Sequence, residues 1–133
     1  MASGTLPEKL KLKPGLRAAV INAPDSYLKE LGASWAHLDQ TFSGDYDWIQ
    51  VFVRNKAELD LLISTVKAAL RPISLLWITF PKGSSKVQTD LTRDTGWDSI
   101  QDMKWVTLVS INDTWSAFSL RPYKPGEARQ SFR

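Results

Sequence analysis

The chain has no cysteine, and among its 133 residues histidine occurs once, at His37. Without thiols there is no disulfide, no thiolate metal site and no thiol nucleophile, which suits a reducing compartment. One histidine has no second to build a zinc site with. Beside Trp35 and Leu38, His37 reads as a structural side chain and not as a base. No apolar run approaches the roughly 18 residues that cross a bilayer, and Met1-Ala2-Ser3-Gly4 begins no export signal. The expectation is a cytoplasmic protein without membrane contact. Glycine is missing where phosphate chemistry needs it: neither G-x-x-x-x-G-K-S/T nor G-x-G-x-x-G occurs. Ser84, Ser85 and Ser116 lack a G-x-S-x-G elbow and an assignable base. No catalytic residue, metal site or cofactor is read from these residues.

Positive charge is present, but its location matters more than its amount. The net charge is +3 and the pI about 9.3. Residues 1–17 carry +3 through Lys9, Lys11, Lys13 and Arg17 against Glu8, and residues 121–133 carry another +3. The body between them is mildly acidic. A nucleic-acid groove needs a basic face on the folded body, so nucleic acid is an unlikely partner and the ends read as solvated tails. The expected organisation is a flexible basic segment over 1–13, one α/β domain over 14–122 and a flexible tail over 123–133.

Pro14-Gly15 punctuates the entry to the domain. Leu16 to Ile21 is a continuous apolar run, the mark of a strand covered on both faces. Asn22 to Ser26 turns into a short helix with Tyr27, Leu28 and Leu31 inward and Gly32 as its stop. A short strand is expected around Trp35 to Leu38, and a clear one over Asp47 to Val53. Asn55 with Glu58 predicts a capped helix whose buried stripe is Leu59, Leu62, Ile63, Val66 and Leu70, ended by Pro72.

Ser74 to Phe80 is the next strand, breaking at Pro81 into a Lys/Ser/Thr-rich loop. Asp94 to Met103 reads as a helix packed through Trp97 and Ile100. Lys104–Ile111 and Trp115–Leu120 form a closing hairpin around Asn112-Asp113-Thr114. Trp115–Leu120 is expected at an exposed edge, where a homodimer could pair. Trp48, Trp77 and Trp105 are expected in the core.

Alternation of strands and helices predicts a three-layer Rossmann-like α/β domain, mostly parallel, with a C-terminal antiparallel hairpin. Its element order is similar to that of Rossmann-like methyltransferases. Ligands of open parallel sheets bind at the carboxyl ends of the strands. That edge would gather Asn22 to Ser26, Arg54-Asn55, Pro81 to Arg93 and Asn112 to Trp115, with Asn22, Asp25, Ser26, Lys82, Ser84, Ser85, Lys86, Thr92, Arg93 and Trp115 as candidate ligand-binding residues. Lys82, Lys86 and Arg93 suit a small anion.

Lys13-Pro14-Gly15, Asn22-Ala23-Pro24, Trp77 to Lys82, Thr89 to Asp94 and Thr114 to Ala117, taken together over residues 9–121, resemble the bacterial family catalogued as domain of unknown function 3052. The resemblance implies no activity. The chain departs from that family's pattern at Asn22, often a glycine there, which counts against close approach of a ligand to the backbone. The first reading is therefore a non-enzymatic binding or regulatory module for a protein partner or small anion. The alternatives are a methyltransferase-related enzyme using S-adenosylmethionine, with Asp39 near the ribose, and nucleic-acid binding through the tails.

Overall fold

A computed structural model describes residues 6–13, 15–24, 27–32, 38–82, 100, 103–112, 114–123 and 126. Among them, β1 is Ala18–Ile21, α2 Tyr27–Leu31, β2 Leu38–Asp39, β3 Tyr46–Phe52, α3 Lys56–Ala68, β4 Leu70–Pro81, β5 Met103–Ser110 and β6 Trp115–Pro122, with a single turn of helix, α1, at Leu6–Lys9. The strands form one sheet in the order β2-β1-β3-β4-β6-β5. β1 to β4 pair in parallel, and β6 runs antiparallel to both β4 and β5. The three-layer, Rossmann-like architecture read from the sequence is the one observed.

Each face has its own core. Ile49, Val51, Leu76 and Ile78 point to one side, where Leu59, Ile63 and Val66 of α3 cover them. Trp48, Phe52 and Trp77 point to the other, against Tyr27 and Leu31 of α2. This two-sided burial is why β1 reads as an unbroken apolar run. Leu10 and Leu12, from the stretch expected as a basic lead-in, are buried in the second core. The indole N–H groups of Trp48 and Trp77 both donate to the carbonyl oxygen of Leu10, at 2.8 Å each. The lead-in is thus fastened to two strands at once.

α3 starts as expected, with the Asn55 side chain accepting from the Glu58 N–H at 2.9 Å. It ends at Ala68, before Pro72, because β4 already begins at Leu70. Between Tyr46 and Trp48 the β3–β4 register shifts. Ser74 stitches that irregularity, its hydroxyl donating to Tyr46 O and accepting from Arg71 N–H, both at 2.6 Å.

The amino-terminal edge of the sheet is held by charge. Arg71 bonds Asp47 at 2.8 Å and Asp45 at 3.2 Å, while Arg17 donates to the carbonyls of Asp45 and Ser43 and stacks over the Tyr46 ring. The Tyr46 hydroxyl donates to Asp39 at 2.6 Å and accepts from the Ser43 N–H. Burial first, then the Asp39 bond, raises the Tyr46 pKa above the ordinary tyrosine value.

Two expectations need correction. Trp115–Pro122 is not an edge strand, because it sits between β4 and β5; among the described strands the edge on that side is β5. Trp105 is 41% exposed and not a core residue, since it lies on that edge strand. Val106 has no register partner on β6, so β5 carries a bulge there. The strand expected around Trp35 shows as Leu38–Asp39, and residues 33–37, like the helix expected over 94–103, fall outside the described set except for Ile100 and Met103. Among the described residues no helix is long and apolar enough to cross a membrane.

Candidate functional site

β1 leads to β2 on one side, and β3 returns on the other, so the strand order reverses between β1 and β3. A crevice opens outside the carboxyl ends of these two strands, where such a reversal always leaves room. Its volume is about 510 Å³, and its walls are Asn22, Ala23, Pro24, Phe52, Arg54, Glu58 and Trp115. That size lies in the range of small-molecule and cofactor sites.

Each wall follows from local structure. β1 ends in Asn22, whose φ of 61° lies in the left-handed region. Asparagine tolerates that conformation better than any residue with a larger side chain, because its short amide bonds locally. Asn22 thus holds the left-handed turn that glycine often supplies there, while keeping a side chain at the crevice mouth. Phe52 closes β3 and packs edge-on against Trp115 of β6 at 5.2 Å and Tyr27 of α2 at 4.6 Å. Trp115 is positioned by the turn before it, where Asn112 Oδ1 accepts from the N–H groups of Thr114 and Trp115.

Beneath Phe52 the floor is braced by a buried polar chain. The Tyr27 hydroxyl donates to Gln50 Oε1 at 2.7 Å, and Gln50 Nε2 donates to Thr79 Oγ1 at 2.9 Å. All three residues are essentially inaccessible to solvent. Burial drives the Tyr27 pKa far above the usual tyrosine range, so its hydroxyl stays a donor.

The charged wall is the start of α3. Glu58 Oε1 accepts from the Arg54 N–H at 2.7 Å, which fixes the carboxylate at the crevice side of the helix. Among the described residues the Arg54 guanidinium meets no carboxylate.

Of the expected site residues, Asn22 and Trp115 meet in this crevice. Lys82 does not line it: its Nζ donates to Ser110 Oγ at 2.6 Å, tying the end of β4 to β5. Asp25, Ser26, Ser84, Ser85, Lys86, Thr92 and Arg93 lie outside the described residues. Asp39, offered for a ribose, pairs in register with the second residue of β1 and bonds the tyrosine that opens β3. It is drawn toward the amino-terminal edge, because β2 is only two residues long. Arg54 was expected at this edge, though not among the binding residues, and it lines the crevice. Phe52 and Glu58 were not placed there, Glu58 having been absorbed by its capping role.

No family model and no curated protein matches the chain. Solved structures do. TehB from Haemophilus influenzae superposes with a TM-score of 0.53 at 9% identity, over 92% of this chain and 63% of that one. The tRNA methyltransferase TrmK of B. subtilis gives 0.52 at 10% identity, over 92% and 67%. DhpI, solved with SAH, gives 0.50 at 10% identity, over 80% and 66%. The fold is the Rossmann-like α/β fold of these neighbours. This chain spans about two thirds of the length of these neighbours or less. The non-enzymatic module placed first by the sequence gives way accordingly: similarity to solved methyltransferases favours the enzyme alternative over it.

Proposed function

We propose that the chain is a methyltransferase-related domain that binds S-adenosylmethionine in the crevice between the ends of β1 and β3. The observation that carries this reading is the coincidence of that crevice, at the reversal of strand order, with a left-handed residue closing β1. The donor set fits such a ligand. Phe52 and Trp115 give an apolar, aromatic wall for a nucleoside, and Arg54 and Glu58 give one charge of each sign for an amino-acid end. Asn22, Ala23 and Pro24 bring backbone to the crevice mouth. When bound, S-adenosylmethionine supplies a methyl group activated by its sulfonium. The protein's part is to orient the ligand against the aromatic wall and to exclude water behind Phe52, where the Tyr27–Gln50–Thr79 chain holds the floor rigid.

Resemblance to the uncharacterised bacterial family belongs to the same proposal, as does a cytoplasmic setting. The test is calorimetric titration of the purified chain with S-adenosylmethionine, S-adenosylhomocysteine, ATP and NAD. The expected result is binding of the two adenosyl amino acids alone; binding of NAD or ATP in their place would refute the reading.

A further inference from the structure

Two of the crevice walls come from distant parts of the chain. One is Asn22 to Pro24, which leads toward α2, and the other carries Trp115, the first residue of β6. Outside the crevice a side-chain pair joins them. Asn112 Nδ2, in the turn before β6, donates to both carboxylate oxygens of Glu30 on α2, at 3.0 and 3.2 Å. Among the described residues that line the crevice, neither partner appears.

The two partners differ in how firmly they are held. α2 is seated on the sheet through buried Tyr27 and Leu31, and the Tyr27 hydroxyl bonds Gln50 beneath it. Asn112 belongs to a half-buried hairpin tip, held on its β4 side by the Lys82 N–H donating to Thr114 O at 2.7 Å. The Asn112 Oδ1 accepts from the N–H groups of Thr114 and Trp115. One amide thus couples the Trp115 backbone to α2, its oxygen holding the strand and its nitrogen the helix.

We infer that Asn112, braced by Glu30, is a positioning residue that fixes the Trp115 indole relative to the Asn22–Pro24 wall; this rests on the adenosyl-ligand reading above. Trp115 forms the aromatic wall with Phe52, their ring centroids 5.2 Å apart. A wall side chain keeps its place only when the groups behind it are themselves held. Anchoring the hairpin tip to α2 orders that wall before the ligand arrives, which removes the ordering cost from binding. A carboxylate acceptor suits this task, because charge-assisted bonds are the stronger ones.

The test uses the full chain labelled with fluorotryptophan, as wild type, Glu30→Ala, Asn112→Asp, and Asn112→Asp combined with Glu30→Lys. Single substitutions to phenylalanine assign the fluorine lines of Trp48, Trp77 and Trp115. Aspartate at 112 keeps an oxygen for the Thr114 and Trp115 N–H groups and sets a like charge against Glu30. Lysine at 30 restores the attraction. The Trp115 line should shift in both single variants and return in the double variant, while those of buried Trp48 and Trp77 stay in place. Calorimetric titration with S-adenosylhomocysteine should follow it. Affinity should fall about threefold in Glu30→Ala and about tenfold in Asn112→Asp, the scale of one hydrogen bond to a charged group. The double variant should recover most of that loss. Thermal melts without ligand check that each variant folds.

A Trp115 line unmoved in folded Glu30→Ala and Asn112→Asp overturns the positioning role. A line that moves while affinity stays unchanged overturns it as well, and either result leaves the proposed function standing. A double variant that binds no better than Asn112→Asp assigns the loss to the turn alone, with the same consequence. Failure of wild type to bind S-adenosylhomocysteine sinks the proposed function, and the positioning role with it.

Discussion

Trp48 on β3 and Trp77 on β4 share one acceptor, the Leu10 carbonyl oxygen. Each indole is wholly buried and needs a partner for its N–H. A single backbone atom from outside the sheet satisfies both, which makes residues 6–12 part of the domain's core.

Leu10→Ala should therefore cost about 3 kcal/mol, the usual range for a buried leucine truncation. Removing residues 1–12 should cost more, because it also leaves two buried N–H groups without acceptors, at about 1–3 kcal/mol each. Urea denaturation measures both. A truncated chain as stable as the full one would show that the lead-in is dispensable.

At Asn22 the direction of change should depend on the residue introduced. Asn22→Gly keeps the left-handed conformation without strain and should leave the melting temperature nearly unchanged. Asn22→Ala and Asn22→Val should lose about 1–2 kcal/mol, with valine the worse. The same two substitutions should weaken S-adenosylmethionine binding in calorimetry, because they tilt the backbone at the crevice mouth.

The Tyr27–Gln50–Thr79 chain predicts non-additivity. Gln50→Leu leaves the Tyr27 hydroxyl buried without its acceptor and should cost about 2–3 kcal/mol. Adding Tyr27→Phe removes the stranded hydroxyl, so the double variant should be more stable than Gln50→Leu alone. A double-mutant cycle in guanidinium chloride reads the coupling directly. Simple addition of the two losses would refute the network.

Acid sensitivity should trace to the amino-terminal edge. The hydrogen bond from Arg71, helped by its charge, holds Asp45 below its ordinary carboxylate range. Its folded pKa thus lies below its unfolded one, so the pair stabilises the fold above about pH 4. That contribution disappears as the pH falls through the folded value. Melting temperatures measured from pH 7 down to 2.5 should decline less steeply in Asp45→Asn than in wild type, once the two are matched at neutral pH.

Element types and their order were legible because they rest on local chemistry. The continuous run ending at Ile21, the Asn55–Glu58 start and the Asn112 turn each name a structure through their own neighbours. The crevice was legible as a place, since parallel strands must end on one edge. Its composition was less so. Glu58 showed one role in sequence and has two in space. Asp39 followed a strand too short to carry it to the ligand edge, and strand length is the weakest quantity in a low-alternation segment. Leu10 and Leu12 were masked by the lysines around them, because charge on the alternate positions reads as solvated whichever way the leucines point. Trp105 was misread because a tryptophan in an eight-residue strand carries no sign of whether that strand has one neighbour or two.

The unmatched residue at Val106 has a bearing on how copies of this chain tolerate one another when crowded. An eight-residue border strand bearing Trp105, Val106 and Leu108 at its surface is a template on which further chains could stack. The bulge interrupts the outward-facing row of amide and carbonyl groups near its middle and adds twist, so an incoming flat strand finds only short stretches to match. It works as a guard against polymerisation, written as one surplus residue and needing no charge of its own.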